Sequence, residues 1–245
     1  MYVLKHICFF LSIICFSCKQ AIQNTEKTSI AIEVAKPNSK IDTSDFEKYF
    51  ISKNLVELSS FDTTIKVSLI YATNQNFLKK SLYVGITKCY LPKEVILKLI
   101  DAQKFLKQDF PDYSLIVFDA VRPLSIQKKM WDELDIPNSI KINYLAHPND
   151  ISLHNYGAAV DVSIIGENQV LLNMGTEFDY FGELSQPKFE KKLFLQGQLK
   201  KEFLANRLLL RSVMIKAGFS PITSEWWHFN YTNKITAASK FSLIY

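Results

Sequence analysis

Glycine, proline and cysteine are all scarce in this sequence, whose 245 residues contain only 7 Gly, 8 Pro and 4 Cys. So few glycines and prolines exclude collagen-like and low-complexity architectures. Charged residues make up 22% of the chain and aromatic residues 13%, which is the opposite of the composition of disordered proteins. The net charge of +5 is mild and no block of five or more Lys or Arg occurs, so we expect no nucleic-acid partner. The composition is typical of one or two globular domains.

The N-terminus has the features of an export signal. Lys5 precedes an apolar run over 7–16 that is too short to span a bilayer as a helix. The run ends at Ser17 and Cys18, and a small residue directly before a cysteine resembles the cleavage site of a bacterial lipoprotein. We therefore predict a signal peptide over residues 1–17, lipidation at Cys18, and an extracytoplasmic protein anchored on the periplasmic side of a bacterial membrane. The alternatives are an ordinary signal peptide cut nearby and an uncleaved anchor.

Cleavage before Cys18 would leave Cys89 as the one other cysteine of the mature chain, so no intramolecular disulfide is expected. We interpret Cys89 as a small buried hydrophobic residue. Residues 18–44 contain no aromatic residue and show no clear periodicity, and we interpret them as a flexible tether. Residues 45–245 are predicted to form one domain.

Beyond the tether, the hydrophobic pattern indicates a mixture of helices and strands. Helices are predicted from Ser44, over 92–108, over 124–134 and over about 199–217, the last ended by Gly218. Strands are predicted at 54–59, 65–70, 114–120, 158–164 and 226–231. Because these elements mix without a regular βαβ alternation, we predict an α+β fold.

Two of the three histidines after the leader lie near residues that could complete a metal site. A catalytic zinc takes three nitrogen or oxygen ligands and keeps a fourth position open for water. His154, Asp161 and His228 would supply such a set, provided that Gly157 bends the chain between the first two. We interpret the third histidine, His147, as a loop residue.

A general base is predicted next to the last of these ligands. Glu225 lies three residues before His228, and a base must come within hydrogen-bond reach of the attacking water. Since residues three apart point to opposite faces of a strand, we expect a turn near Ser224. Taken singly, each of these residues is more often structural than catalytic, and Trp226 and Trp227 are interpreted as core or pocket walls.

These segments resemble the D-alanyl-D-alanine dipeptidases, a family of zinc peptidases. An S-x-H-x-x-G-x-A-x-D element spans 152–161 and an E-x-W-H element spans 225–228, and both also occur in D,D-carboxypeptidases and hedgehog-type domains. Further segments match the dipeptidases in particular and in order, namely Tyr71-Ala72-Thr73 with Asn76-Phe77, Asp119 to Pro123, Met174 to Asp179, and Asn206 to Leu209. The resemblance implies a hedgehog/D,D-peptidase-like domain with a central, mostly antiparallel sheet flanked by helices.

The resemblance also implies the cofactor and the roles of the site residues. One Zn²⁺ per chain would be bound by the three ligands already named, with Glu225 as the base. Arg122 would stabilise the oxyanion of the tetrahedral intermediate. Asp179 and Tyr71 would hold the free amino terminus of a small D-dipeptide, and Ser152 would help to position it.

The sequence departs from the family pattern at two places. Val121 stands where an aromatic residue is usual before the arginine, and 77–79 lacks a glycine often found there.

Three functions stay open. We expect hydrolysis of D-alanyl-D-alanine to free D-alanine. The alternatives are a D,D- or L,D-carboxypeptidase acting on peptidoglycan stem peptides and a non-catalytic zinc-binding module. Retention of Glu225 and Arg122 argues against the last of these, because a structural metal site needs no base.

Overall fold

The computed structural model describes residues 44–142 and 144–245, so the predicted signal peptide, Cys18 and nearly all of the tether lie outside the described residues. The helices are α1 (Ser44–Ser52), α2 (Lys93–Asp109), α3 (Leu124–Glu133), α4 (Asn138–Lys141), α5 (Glu190–Leu195), α6 (Lys201–Lys216) and α7 (Lys234–Lys240). The strands are β1 (Leu55–Glu57), β2 (Lys66–Val67), β3 (Tyr90–Pro92), β4 (Ser114–Asp119), β5 (Ala159–Ile165), β6 (Ser220–Pro221) and β7 (His228–Asn230). None of these helices is both long enough and apolar enough to cross a membrane.

Five of the strands form the central sheet, in the order β2-β4-β5-β7-β6. Only β2 and β4 run parallel, and the other neighbouring strands are antiparallel. β1 and β3 form a separate antiparallel pair. Every residue of β4 and β5 is buried, so these two strands lie at the centre of the core. The predicted α+β class with a mostly antiparallel sheet is therefore confirmed.

The longest helix carries the apolar stripe that the sequence predicts. Val95, Leu99, Ala102 and Leu106 of α2 are fully buried, and the helix packs on β4 and against α6. Burial of each larger apolar side chain contributes about 1.5–3 kcal/mol to stability. Pro92 is the N-cap of α2 rather than a residue of its first turn, because its extended backbone also ends β3.

Three strands are shorter than the sequence pattern predicts. The first two are cut short by single-turn 3₁₀ helices, Leu58–Ser60 and Ile70–Ala72. In the third, β7 begins only at His228, because Trp226 and Trp227 both enter the same core with ring centroids 5.2 Å apart. Consecutive residues of a strand would point to opposite faces, so the backbone bends here instead.

The remaining local predictions concern a turn and a thiol. Gly218 follows α6 with a φ of +95°, the left-handed conformation expected of a glycine that ends a helix. Cys89 is buried and unpaired, as predicted, and burial raises the pKa of its thiol. A buried, protonated thiol is a poor nucleophile, so Cys89 has the properties of a core residue.

Candidate metal centre and active site

A tight turn brings His154 back towards the strand that carries Asp161. His154 lies in a 3₁₀ helix, Leu153–Tyr156, whose N-cap is Ser152. The hydroxyl of Ser152 accepts a hydrogen bond from the backbone N–H of His154. Gly157 then takes a φ of +63°, and a Cβ at this position would lie only 2.8 Å from Cδ of Pro92. Glycine is therefore required here, and the predicted bend is confirmed.

The sheet places the other two ligands side by side. In the register of the sheet, Asp119 of β4 is opposite Asp161 of β5, and Asp161 is opposite His228 of β7. Side chains directly opposite each other on antiparallel strands share a face and lie close together. Three polar side chains therefore form one row across three neighbouring strands of the sheet.

The three predicted ligand atoms form a triangle that fits a tetrahedral metal. His228 Nδ1 lies 3.0 Å from Asp161 Oδ1 and 3.1 Å from His154 Nε2, and the last two atoms are 3.4 Å apart. A tetrahedral ion with bonds of about 2.0–2.1 Å separates its ligands by about 3.3 Å. His154 and Asp161 are buried and His228 is partly buried, and all three side chains line the same cavity.

Hydrogen bonds set both imidazoles in the form that binds a metal. His154 Nδ1 lies 2.8 Å from the carbonyl oxygen of Ala120, and His228 Nε2 lies 2.7 Å from Oδ1 of Asn230. Each of these nitrogens carries the ring proton and donates a hydrogen bond to the oxygen. The other nitrogen of each ring therefore keeps a free lone pair. Two lone pairs then face each other across 3.1 Å, an arrangement that a shared cation stabilises. The residues therefore fit zinc.

Glu225 lies beside the triangle, as the sequence predicts. It is in the bent segment between β6 and β7, and its Oε2 is 3.9 Å from His228 Nδ1. Its side chain is only 14% exposed, and burial raises its pKa to about 8, against the lowering effect of His228. A cation held by the three ligands would lower this pKa again. A carboxylate in this setting can accept a proton from water.

Arg122 is held rigidly next to the ligands. Its Nε and Nη2 donate to Oδ2 of Asp119, and Nη1 donates to the side chain of Gln127. Nη2 also lies 3.6 Å from Oδ2 of Asp161, and the guanidinium carbon lies 5.0 Å from the ring centre of Tyr71. Burial opposes its charge, but the Asp119 carboxylate holds the pKa of Arg122 well above its usual value. A fixed positive charge of this kind can stabilise an oxyanion.

Asp179 is partnered on one side only. The hydroxyl of Tyr71 donates to its Oδ1 at 3.0 Å, whereas its Oδ2 is buried and has no hydrogen-bond partner among the described residues. Burial, reinforced by the charge of Asp161, raises the pKa of Asp179 well above its usual value. A buried acceptor without a partner is costly, so this oxygen is suited to a donor supplied by a ligand.

Part of this site borders a cavity of about 300 Å³, at the small end of the range for small-molecule sites. The three ligands line it, together with Arg122, Ser152 and Glu225. Tyr71 and Asp179 are not part of its lining; they adjoin it through the guanidinium of Arg122. His147 is an exposed loop residue, as predicted, with its ring against Trp131.

Sequence reasoning missed the residues that orient the site. Asp119, Gln127 and Asn230 hold Arg122 and His228 in place. A signal was present for Asn230, because it lies two residues after His228 and residues with this spacing share a face of a strand. Asp119 stood in the segment around Arg122 that matches the family, but no role was assigned to it, and no pattern indicated Gln127 of α3.

The chain also matches known proteins over most of its length. The family model described as D-ala-D-ala dipeptidase, of the M15 peptidases, matches residues 51–243. The D-alanyl-D-alanine dipeptidase of Escherichia coli (strain K12) is 30% identical, over 71% of this chain and 83% of the relative. The protein of the same name from Synechocystis sp. is 27% identical, over 60% of this chain and 72% of the relative. This chain therefore belongs to the D-Ala-D-Ala dipeptidase family of M15 peptidases.

Proposed function

We propose that this peptidase uses one Zn²⁺ to hydrolyse D-alanyl-D-alanine to two molecules of D-alanine. The observation that carries the proposal is the triangle of His154, Asp161 and His228, with Glu225 beside it and one buried oxygen of Asp179 to which no described residue donates. The names of the relatives supply the substrate. The buried oxygen supplies the reason why that substrate should be a free dipeptide.

The three ligands would hold the metal, and Glu225 would move the protons. A zinc ion bound there supplies Lewis acidity and lowers the pKa of a coordinated water to about 7. Glu225 accepts a proton from the attacking water and later delivers it to the amine that leaves. Its side chain, only 14% exposed, lines the cavity from the bent segment between β6 and β7.

Arg122 would stabilise the charge that develops on the scissile carbonyl oxygen. Its hydrogen bonds to Asp119 and Gln127 fix the guanidinium before substrate arrives, so little reorganisation is needed during the reaction. Loss of one comparable donor from an oxyanion site costs about 3–4 kcal/mol of transition-state stabilisation. Ser152 lines the cavity and caps the turn that carries His154. It would therefore position both His154, as a metal ligand, and the dipeptide.

Asp179 and Tyr71 would select for a free amino terminus. An ammonium group would supply the missing donor to Oδ2 of Asp179, while Tyr71 keeps its bond to Oδ1. An N-acylated peptide lacks that charge, and a longer peptide carries it further from the scissile bond, so either would leave the carboxyl group unpaired. This difference favours a dipeptidase over a carboxypeptidase that trims stem peptides.

We expect free D-Ala-D-Ala to be cleaved on the order of 10²-fold or more faster, in kcat/KM, than its N-acetylated form, since loss of one partner of a buried charged pair costs about 2–5 kcal/mol. Release of D-alanine from each compound measures this ratio, with L-Ala-L-Ala as a further substrate. Asp179→Asn should remove most of the preference, whereas Glu177→Gln, a change of an exposed carboxylate in the same segment, should keep it. Faster cleavage of the acetylated peptide would favour the carboxypeptidase. If the zinc-bound protein hydrolyses none of the three substrates, the result would favour a non-catalytic module.

We further propose that the enzyme acts outside the cytoplasm, anchored by lipid at Cys18. The leader supports this proposal, and Cys18 lies outside the described residues. The substrate would then be a dipeptide found on the outer side of the cytoplasmic membrane.

A further inference from the structure

The proposed reaction leaves one buried arginine without a role. Arg207 of α6 is 1% exposed and is among the largest fully buried side chains in the described part of the chain. Its Nε donates to the carbonyl oxygen of Met174 at 2.6 Å, and its Nη2 donates to that of Leu184 at 2.9 Å. Burial of a guanidinium costs free energy unless its N–H groups donate hydrogen bonds. We therefore ask what these two bonds to backbone carbonyl groups do.

The two carbonyl groups are the ends of the segment that carries Asp179. We define the ammonium loop as residues 174–184, with Asp179 near its middle. Arg207 joins the two ends of this loop, and the side chain of Asn206 donates to the carbonyl oxygen of Asn173, one residue before it. A single turn of α6 therefore fixes where the ammonium loop leaves and rejoins the domain.

The conformation of Asp179 requires such support. Its φ of +59° lies in the left-handed region, which a residue with a side chain adopts at a cost. Its Oδ2 is buried and accepts no hydrogen bond within the described part of the chain, which adds a second cost. Both costs would favour a rearranged loop if the loop were free to move, because strained residues persist only where their surroundings fix them.

The charge of Arg207 is not needed to neutralise its acidic neighbour. Glu190 is 3.5 Å from Nη1 of Arg207, but it accepts two shorter bonds from Nη2 of Arg211, at 2.8 and 3.0 Å. Arg211 is one turn further along α6, and the hydrogen bonds of the described residues connect it to Glu190 alone. The two arginines therefore share a carboxylate, while the bonds to the loop belong to Arg207.

We infer that Arg207 is a positioning residue for substrate recognition, which holds the ends of the ammonium loop so that Asp179 meets the amino group of the dipeptide. This inference rests on the proposed function, since it gives Asp179 the role of ammonium acceptor. It assigns to α6 a part in specificity although the helix does not line the cavity.

Arg207→Lys in the full, zinc-loaded chain tests this inference. Lysine keeps the charge but not the planar fork that reaches both carbonyl groups. We expect KM for D-Ala-D-Ala to rise about 10–100-fold, the effect of losing hydrogen bonds to a charged group. We expect kcat to change less than threefold, zinc content to stay the same, and backbone amides of the ammonium loop to exchange faster with deuterium. Arg211→Lys is the matched control and should leave all four quantities unchanged.

A double variant separates positioning from general stability. If Arg207 acts through Asp179, then Arg207→Lys should have little further effect on KM in an Asp179→Asn background. Full additivity, or unchanged hydrogen exchange in residues 174–184, would overturn the inference. Asn206→Ala should give the same pattern with a smaller amplitude, and it serves if the lysine variant does not fold. Failure of the proposed hydrolysis would already appear in the wild-type chain, whereas failure of this inference appears only in the variants.

Discussion

Replacement of Glu225 with glutamine is expected to lower kcat for D-Ala-D-Ala by about 10²–10⁴-fold, the usual contribution of a general base. The amide has nearly the same shape as the carboxylate but cannot accept a proton from the attacking water. KM should change little, since Glu225 touches neither Asp179 nor Tyr71 in the hydrogen bonds of the described residues. Steady-state rates of D-alanine release measure the effect, and zinc content should be determined on the same samples.

Glu225→Asp is the matched control for the glutamine variant. It keeps the carboxylate and withdraws it by one methylene, so we expect an activity between those of the wild type and Glu225→Gln. A glutamine variant with bound zinc and wild-type kcat would show that another group takes the proton. Loss of zinc from Glu225→Gln would show instead that Glu225 acts as a ligand.

Removal of a ligand is expected to abolish both zinc binding and hydrolysis. His154→Ala removes one of the three predicted metal ligands and leaves only Asp161 and His228 of that set. Asn230→Ala should have a smaller effect, about 10–100-fold in zinc affinity or activity, because it removes only the acceptor that orients His228. Zinc affinity by competition with a chelator, and kcat/KM at saturating zinc, measure the two effects.

His147→Ala is the matched control for the ligand variants, since it removes a histidine that lies in an exposed loop outside the cavity. It should bind zinc and turn over substrate like the wild type. Equal zinc affinity in His154→Ala and the wild type would contradict the assigned ligand set. An effect of Asn230→Ala as large as that of His154→Ala would assign Asn230 a direct contact with the metal.

The parts of the fold that depend on local patterns could be predicted from the sequence. The stripe of α2 and the glycine that ends α6 are determined by residues within a few positions of each other. The predicted ligands and Glu225 could be selected because zinc chemistry needs few residue types, and only three histidines follow residue 6. The bend at Gly157 followed from the seven-residue spacing of His154 and Asp161.

The parts that depend on contacts between distant segments could not be predicted. The strand that contains His228 begins two residues later than the sequence pattern predicts. Trp226 and Trp227 pack into one core, and this packing overrides the alternation of side chains between the two faces of a strand. The roles of Arg122 and Asp179 came only from the family resemblance, because neither has a local pattern that distinguishes it from an ordinary surface charge. The bonds of Arg207 to Met174 and Leu184 span more than twenty residues, and the sequence marked Arg207 only as part of a segment that matches the family, without indicating these contacts.

Titration of metal-depleted protein with zinc, with D-Ala-D-Ala as substrate, tests the central claim most directly. We expect D-alanine release to rise in proportion to added zinc up to one equivalent per chain and then to stay constant. We expect no such rise for His154→Ala. Full activity in the metal-depleted protein, or one equivalent of bound zinc without hydrolysis, would contradict the claim that these residues form the catalytic zinc site of a dipeptidase.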